Sequence, residues 1–144
     1  MARTLNDLAD RMDALDKNIK SEASLLASRI ALAIVNDVVW HTPVDTSRAL
    51  SNWQVYIGVD SRRKIPPYFM GSHGSTHFQS ADMTIGAAES KLSKKRPGQS
   101  IWIVNNIPYI IDLNQGSSRQ APAGFYERAL AVGHRVVIKY KLKL

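Results

Sequence analysis

The first forty residues carry apolar side chains at helical spacing, and this pattern constrains the fold more than any other feature of the chain. Charged residues fill most of the other faces of the first half, so its apolar seam is narrow. The seam residues lie three and four positions apart: Leu5, Leu8, Met12, Leu15 and Ile19. A heptad-like seam favours a partner helix, with folding back onto the domain as the alternative. We predict one long helix, or two consecutive ones, within residues 1–40.

The apolar stripe broadens after this seam, which is typical of a helix packed on a core. Ser21 is a candidate cap for a second helix. The helical pattern should stop just before Pro43, because proline disfavours helical geometry in the preceding residue and lacks a backbone N–H. Asp45 and Thr46 can then cap a short helical segment at residues 47–52.

Three segments are predicted to be strands: residues 53–59, 100–105 and 135–144. The last alternates most cleanly, with Val136 and Ile138 on one face and lysines on the other. Lysines along one face are typical of edge strands. We therefore expect this C-terminal strand or arm to be able to extend the sheet of a neighbouring molecule.

Three further segments are predicted to be helical: residues 82–95, 107–114 and 123–132. Pro108 suits a first helical turn, where a missing N–H costs nothing, and Gly116 suits a left-handed stop just past the second of these helices. Residues 83–86 also fit a strand paired with the one before it, and this alternative stays open.

Residues 60–81 are predicted to form a long loop, because glycine, serine and proline are dense there. Loops of about 20 residues are uncommon in compact domains and are usually functional or disordered. In an assembly protein such a loop could become ordered only against a neighbour. It also carries one of three cationic clusters, Arg62 to Lys64; the others are Lys91 to Arg96 and Lys139 to Lys143.

Length and charge narrow the possible classes of protein. A chain of 144 residues corresponds to a single domain, residues 1–144, that can bury a core without metal or disulfide. With no cysteine it has no thiolate metal site, and no continuous apolar run approaches the roughly 20 residues of a membrane span. We expect a soluble intracellular product. The net charge of +7 favours acidic partners, although the cationic clusters lack the interleaved aromatics of a base-stacking surface.

One set of residues superficially fits nucleophilic catalysis. His41, Asp45 and Ser47 are a possible base, orienting group and nucleophile. The sequence lacks the Gly-x-Ser-x-Gly turn of many hydrolases, and Asp45 and Ser47 are better interpreted as turn and cap residues. We predict no catalytic residues and no enzyme.

A second set superficially fits a metal site. His73 and His77 have a spacing that zinc ligands use, and Asp82 follows them. They lie in a stretch rich in glycine and serine, without a third strong ligand on a predictable element. We predict no metal and no cofactor.

Two stretches together resemble a known family. Residues 42–53, Thr-Pro-Val-Asp-Thr-Ser and on to Trp53, resemble a signature of tailed-bacteriophage minor tail and neck proteins that begins Thr-Pro-Val-Asp-Thr-Gly and ends in tryptophan. Residues 104–116 are similar to that family's NxxPYAxxxExG signature, and residues 120–124 to the step into its C-terminal helix. Ser47 replaces the usual glycine, and Asn114 replaces a common acidic residue.

This resemblance implies an α+β fold, with a small, mainly antiparallel sheet packed by a long N-terminal helix and shorter helices. It implies a structural virion protein, made in the host cytoplasm, that forms a ring, commonly a hexamer, where the tail tube meets the head connector. The expected partners are copies of itself, other neck and tail-tube proteins and, non-specifically, packaged DNA. A tail terminator that caps the tube and a basic nucleic-acid-binding module are the alternatives.

Candidate interface residues follow from the seam, from the loop cations and from the C-terminal segment. They are Leu5, Leu8, Met12, Leu15, Arg62, Arg63, Lys64, Lys139, Tyr140, Lys141 and Leu142.

Overall fold

The structure is a computed structural model that describes residues 4–116 and 123–140. Within these ranges the chain forms five helices and two strands. In order they are α1 (Leu5–His41), α2 (Arg48–Ser51), β1 (Gln54–Ile57), α3 (His77–Leu92), β2 (Ile101–Val104), α4 (Ile110–Asn114) and α5 (Phe125–Lys139). The expected α+β fold, with a long N-terminal helix and a small antiparallel sheet, is confirmed.

Helix α1 is one continuous helix of 37 residues, which makes it about 55 Å long. Thr4 and Asp7 form a reciprocal capping box at its start, with the Asp7 N–H donating to Thr4 Oγ1 at 3.2 Å and the Thr4 N–H donating to Asp7 Oδ2 at 3.0 Å. Ser21 lies in the helix interior, so it caps no second helix. The helix ends before Thr42, as the following proline predicts.

The two strands pair in antiparallel register, with Val55 opposite Ile103 and Tyr56 opposite Trp102. Val55 is buried and contributes to the core, whereas Trp102 is 43% exposed. The sheet therefore buries one face against the helices and leaves the other face accessible.

The core lies where the second half of α1 meets α3 and α5. Val35, Val39 and Leu50 have no exposed surface, and Ala129 of α5 is equally buried. Helix α5 runs antiparallel to α1, because Arg128 approaches Asp37 at 3.9 Å while the Tyr140 hydroxyl donates to Glu22.

The predicted strand at residues 135–144 is wrong where the structure describes it, since Arg135 to Lys139 continue helix α5. Spacing explains the error. Ala129, Gly133, Val136 and Tyr140 lie three or four residues apart, and this set faces the body of the protein more than the residues between it. Packing against α1 thus overrides the strand preference of the β-branched residues. Residues 141–144, including the candidate interface residues Lys141 and Leu142, lie outside the described residues.

The predicted loop at residues 60–81 is too long at its C-terminal end, because α3 already begins at His77. The alternative strand at residues 83–86 is wrong, since these residues lie inside α3. Small buried side chains on one face of α3 explain its position: Ser80, Ala81, Thr84 and Ala88 allow the helix to approach α1 and β1 closely.

Among the described residues, α1 contains an 18-residue window with mean hydropathy 1.5, which by length and composition alone would be apolar enough to cross a membrane. Arg29 and Asp37 interrupt the apolar part of this helix. The buried residues of α1, including Val35 and Val38, pack in the core of the fold. This packing accounts for part of the hydropathy, since 22% of the window is buried, and the absence of a membrane partner stays a prediction.

Candidate functional site

The two stretches that carry the family resemblance pack against each other. Trp53 Nε1 donates to Thr42 Oγ1 at 2.8 Å, and this hydroxyl in turn donates to the Val38 carbonyl at 2.6 Å. From the second stretch, Asn105 Nδ2 donates to the carbonyl oxygen of Ala49 at 2.9 Å. The two stretches thus form one hydrogen-bonded unit, which we call the signature core (residues 42–53 and 104–116).

Ser47 has a left-handed backbone, with φ of 71°, and is 1% exposed. A residue with a side chain pays a steric cost in this region, and glycine does not. Ser47 Oγ forms a hydrogen bond with Thr76 Oγ1 at 2.9 Å, which offsets part of that cost. The backbone at this position therefore has the conformation that favours glycine.

Asn52 is fully buried and fastens the long loop to the signature core. Its amide Nδ2 donates to the carbonyls of Ile65 and Arg48 at 2.8 and 2.7 Å, and its Oδ1 accepts the Ile65 N–H at 2.8 Å. Ser51 Oγ accepts the Tyr68 N–H at 3.1 Å. The loop is thus anchored within its own chain. These contacts give it order without a neighbouring molecule.

Asn114 joins α4 to the start of α5. Its Oδ1 accepts the Tyr126 N–H at 2.9 Å, and its Nδ2 lies 3.0 Å from Glu127 Oε2. Its carbonyl accepts the Gly124 N–H at 2.8 Å. Since Gly124 provides no side-chain cap of its own, the Asn114 side chain satisfies an orphan donor of the helix. Sequence reasoning treated Asn114 only as a departure from the family pattern and missed this role.

Residues 5–21 of α1, which we call the arm, extend beyond the packed body and are exposed throughout. The apolar seam predicted for a partner lies on this arm. The exposed fractions of the seam residues range from 84% at Leu5 to 40% at Ile19. The seam does not fold back onto the part of the chain that the structure describes.

The loop cations Arg62, Arg63 and Lys64 are all exposed. The backbone beneath them is fixed, because the Arg63 carbonyl accepts from Gln54 Nε2 at 2.9 Å and from Asn106 Nδ2 at 3.1 Å. Lys139 is exposed at the end of α5, whereas the Tyr140 hydroxyl is engaged by Glu22, which raises the pKa of Tyr140.

The residues considered for catalysis have separate partners. His41 Nδ1 lies 2.7 Å from the Asp37 carbonyl. Asp45 Oδ1 accepts the His73 N–H at 2.7 Å, and Ser47 bonds to Thr76. The interactions of these three side chains do not link a base to a nucleophile.

The residues considered for metal binding do not form a ligand cluster either, and no group of three or more histidine, aspartate or glutamate side chains among the described residues is arranged to hold a metal. The His77 ring is stacked on Phe78 at 5.5 Å between centroids and lies 5.5 Å from Trp40. Burial lowers the pKa of His77, and its Nε2 is buried without a hydrogen-bond partner in the described structure.

Two grooves that the sequence did not reveal border the signature core. The first, of about 690 Å³, lies between residues 43–49 and the side chains of Pro66, Met70, Tyr109 and Leu113. The second, of about 460 Å³, lies between β1, the loop and α3. Both depend on contacts between segments far apart in the sequence, so no local pattern predicts them.

Comparison with known protein families, curated proteins and solved structures finds no match to this chain. The support for a function therefore comes from the two sequence motifs and from the geometry described above.

Proposed function

We propose that this protein is a structural component of a tailed-phage virion, which forms a ring at the head–tail junction and joins the tail tube to the head connector. The observation that carries this proposal is the signature core. Two motifs more than fifty residues apart in the sequence pack as one unit: Asn105 bonds across to Ala49, and the bond from Trp53 to Thr42 closes the first motif on itself.

The backbone conformation of Ser47 supports the family resemblance, even though Ser47 is one of the residues that differ from the family pattern. The family pattern has glycine there, and the backbone of this chain is left-handed at that residue. If the match were only of residue types, there would be no reason for a left-handed backbone at the glycine position. The motif therefore agrees with the family pattern in backbone conformation as well as in sequence.

The arm supports an assembly role. Leu5, Leu8, Met12 and Leu15 each expose 46% or more of their surface on one helical face. Exposed apolar surface of this kind is typical of protein interaction sites. Ring formation requires heterologous contacts, in which one surface of a subunit meets a different surface of the next. We propose the seam as one side of such a contact, with the exposed loop cations and Lys139 as candidates for others.

The test is the mass and shape of the purified assembly, alone and co-expressed with the products of neighbouring genes. Native mass spectrometry and electron microscopy should show a closed ring, with six copies of the 16.0 kDa chain as the expected mass. The variant Leu8→Ser/Met12→Ser/Leu15→Ser should disrupt the ring. A matched control on the polar faces of the arm, Asp10→Ser/Lys17→Ser, should retain it. A protein that remains monomeric in both settings would contradict the proposal.

A terminator that caps the tube and a connector that bridges tube and head give different results in one further experiment. A terminator should bind the end of purified tail tubes without the connector, whereas a bridging protein should bind both. Electron microscopy of mixtures with each component separates these two positions.

A further inference from the structure

The groove between β1, the loop and α3 combines cations with tyrosine rings. Arg63 enters from the loop and Lys91 from α3, and both are exposed. Tyr56 and Tyr68 also line the groove. The cations are nearly thirty residues apart in the sequence, so only the fold brings them together. Two of the three cationic clusters of the sequence therefore contribute to opposite sides of one surface.

The groove is electropositive because its lining is unbalanced in charge. No acidic side chain is among the described residues that line it. Exposed cations continue beyond its two sides, Arg62 and Lys64 on the loop and Lys94 and Arg96 after α3. Lys95 is partly engaged elsewhere, since its Nζ lies 2.8 Å from Ser24 Oγ. Clefts lined by one sign of charge concentrate ligands of the opposite sign.

The surrounding structure holds the Lys91 side chain and the backbone of Arg63 in place. Lys91 Nζ lies 4.0 Å from the centroid of the Tyr56 ring, in cation–π contact. Tyr56 Oη donates to Gln54 Oε1 at 2.5 Å, and Gln54 Nε2 donates to the backbone carbonyl of Arg63. These contacts position the Lys91 ammonium and the backbone of Arg63, which reduces part of the entropy lost when a ligand binds.

Tyr68 contributes an apolar wall without adding negative charge. Burial raises the pKa of its hydroxyl, Tyr56 acts in the same direction, and Arg63 acts in the opposite direction. A neutral phenol at physiological pH leaves the positive potential of the groove intact.

We propose that this groove binds the phosphodiester backbone of a nucleic acid. The planar guanidinium of Arg63 can donate two parallel hydrogen bonds to one phosphate, while Lys91 provides a point charge for the next. The Tyr68 ring gives the sugar and base an apolar surface, as in proteins that bind strands without sequence preference. The groove volume of about 460 Å³ is within the range of ligand sites.

The test is binding of a fluorescently labelled DNA oligonucleotide, as single strand and as duplex, followed by anisotropy over a series of salt concentrations. The variant Arg63→Glu/Lys91→Glu should weaken binding of the better-bound form at least about tenfold at low salt. It should reduce the slope of log affinity against log salt by about 1.8 for the duplex or about 1.4 for the single strand, since each lost phosphate contact contributes about 0.9 or about 0.7. Lys17→Glu/Arg135→Glu is the matched control, because it changes the same net charge at exposed residues that do not line the groove. This control should change the slope by less than about 0.5.

Three results would overturn the proposal. The first is the absence of measurable binding to both forms of DNA at low salt. The second is an equal effect of the groove variant and the control, which would assign binding to net charge alone. The third is displacement of the DNA by poly-glutamate of equal charge as effectively as by unlabelled DNA, which would assign the groove to acidic peptides.

Circular dichroism melting checks that each variant is folded. Arg63→Gln/Lys91→Gln replaces the reversal variant if that one unfolds, and it should still reduce the slope by the same amount. DNA binding by this groove does not depend on a virion role and can be measured on monomers. Failure here therefore leaves the ring proposal standing, and failure of ring formation leaves this proposal standing.

Discussion

The arm and the body of this protein reach ordered structure by different means. The arm, residues 5–21 of α1, has a capping box at its start and an ion pair between Asp16 and Lys20 at 2.8 Å, both local interactions. The body is held by contacts between distant residues, such as the bonds of Asn52 to Ile65 and of Asn105 to Ala49. The arm therefore has helical order without burial, and the body has both.

This difference indicates which surface could supply free energy to the assembly that we propose. An isolated helix of this length is marginal in water, and the arm is helical partly because α1 continues into the core. Its seam contributes little to folding while it is exposed, and it can gain burial only when another surface covers it. The body already buries an apolar core that includes Val35, Val39 and Leu50, although other apolar residues such as Met70 and Ile138 stay exposed. Substitutions should therefore separate the two regions by their effect on folding and on assembly.

The largest difference should come from truncating one leucine in each region. Leu50→Ala empties a site with no exposed surface and should lower the free energy of unfolding by about 2–5 kcal/mol. Leu8→Ala removes a side chain that is 53% exposed and should change it by less than about 0.5 kcal/mol. Urea denaturation of the monomer measures both. Equal losses would mean that the seam is packed against the body in solution.

The next largest effect concerns the anchoring of the loop. Asn52→Ala should cost about 2–3 kcal/mol, because it leaves the Ile65 N–H and two carbonyls without their partner. Asn106→Ala is the control, since its Nδ2 bonds to the carbonyls of Ser61 and Arg63 near the surface, and it should cost about 0.5–1 kcal/mol. Hydrogen exchange at the Ile65 amide should accelerate in the first variant and stay slow in the second.

A pair of glycines in helices tests how tightly the second half of α1 is packed. Gly133→Ala would place a Cβ 2.6 Å from Ile34 Cγ1, and it should destabilise the protein by about 1–3 kcal/mol. Gly86→Ala meets nothing within 4 Å and should stabilise it by about 0.5–1 kcal/mol through helix propensity. Thermal melting of both variants gives the sign. A stabilising Gly133→Ala would show that α5 packs on α1 more loosely than described.

The smallest effect is the pH dependence that His77 confers. Burial lowers its pKa below the ordinary value of 6.5, so the unfolded chain binds a proton more readily than the folded one. The stability that the folded protein gains by keeping His77 neutral is fully present above about pH 6.5. It is lost as pH falls toward the lower pKa of the folded state. The variant His77→Phe retains ring contacts with Trp40 and Phe78 and does not titrate. Denaturation at about pH 7.5 and 5.5 should show a larger loss for the native protein; equal losses would contradict the assignment.

Elements with a strong local pattern could be predicted from the sequence. The helical spacing gave α1, alternation around Val55 gave β1, and Gly116 does adopt a left-handed backbone, with φ of 96°. The C-terminal strand failed because Val136 and Ile138 fit a strand period while Gly133 and Tyr140 complete a helix period. Only the partner surface on α1 decides between the two.

The candidate site was predictable in its motifs and not in its geometry. Turn and cap residues identified the segment 42–53. No local pattern, however, predicts that the Asn52 side chain binds the backbone of Ile65. Likewise, the sequence showed cations without interleaved aromatics, and the fold then placed Tyr56 beside Lys91 and Tyr68 beside Arg63. Side-chain contacts between distant segments have no periodic signature, so sequence reasoning could not find them.

The continuity of α1 has a mechanical consequence. No glycine or proline interrupts the helix between Leu5 and His41, so it contains none of the residues at which helices usually kink. The arm is then a lever about 25 Å long, and a tilt of about 10° at its root moves its tip by about 4 Å. Whatever holds the tip also sets the angle of the body. In the ring that we propose, a small rotation of each subunit would thus be converted into a change in ring diameter.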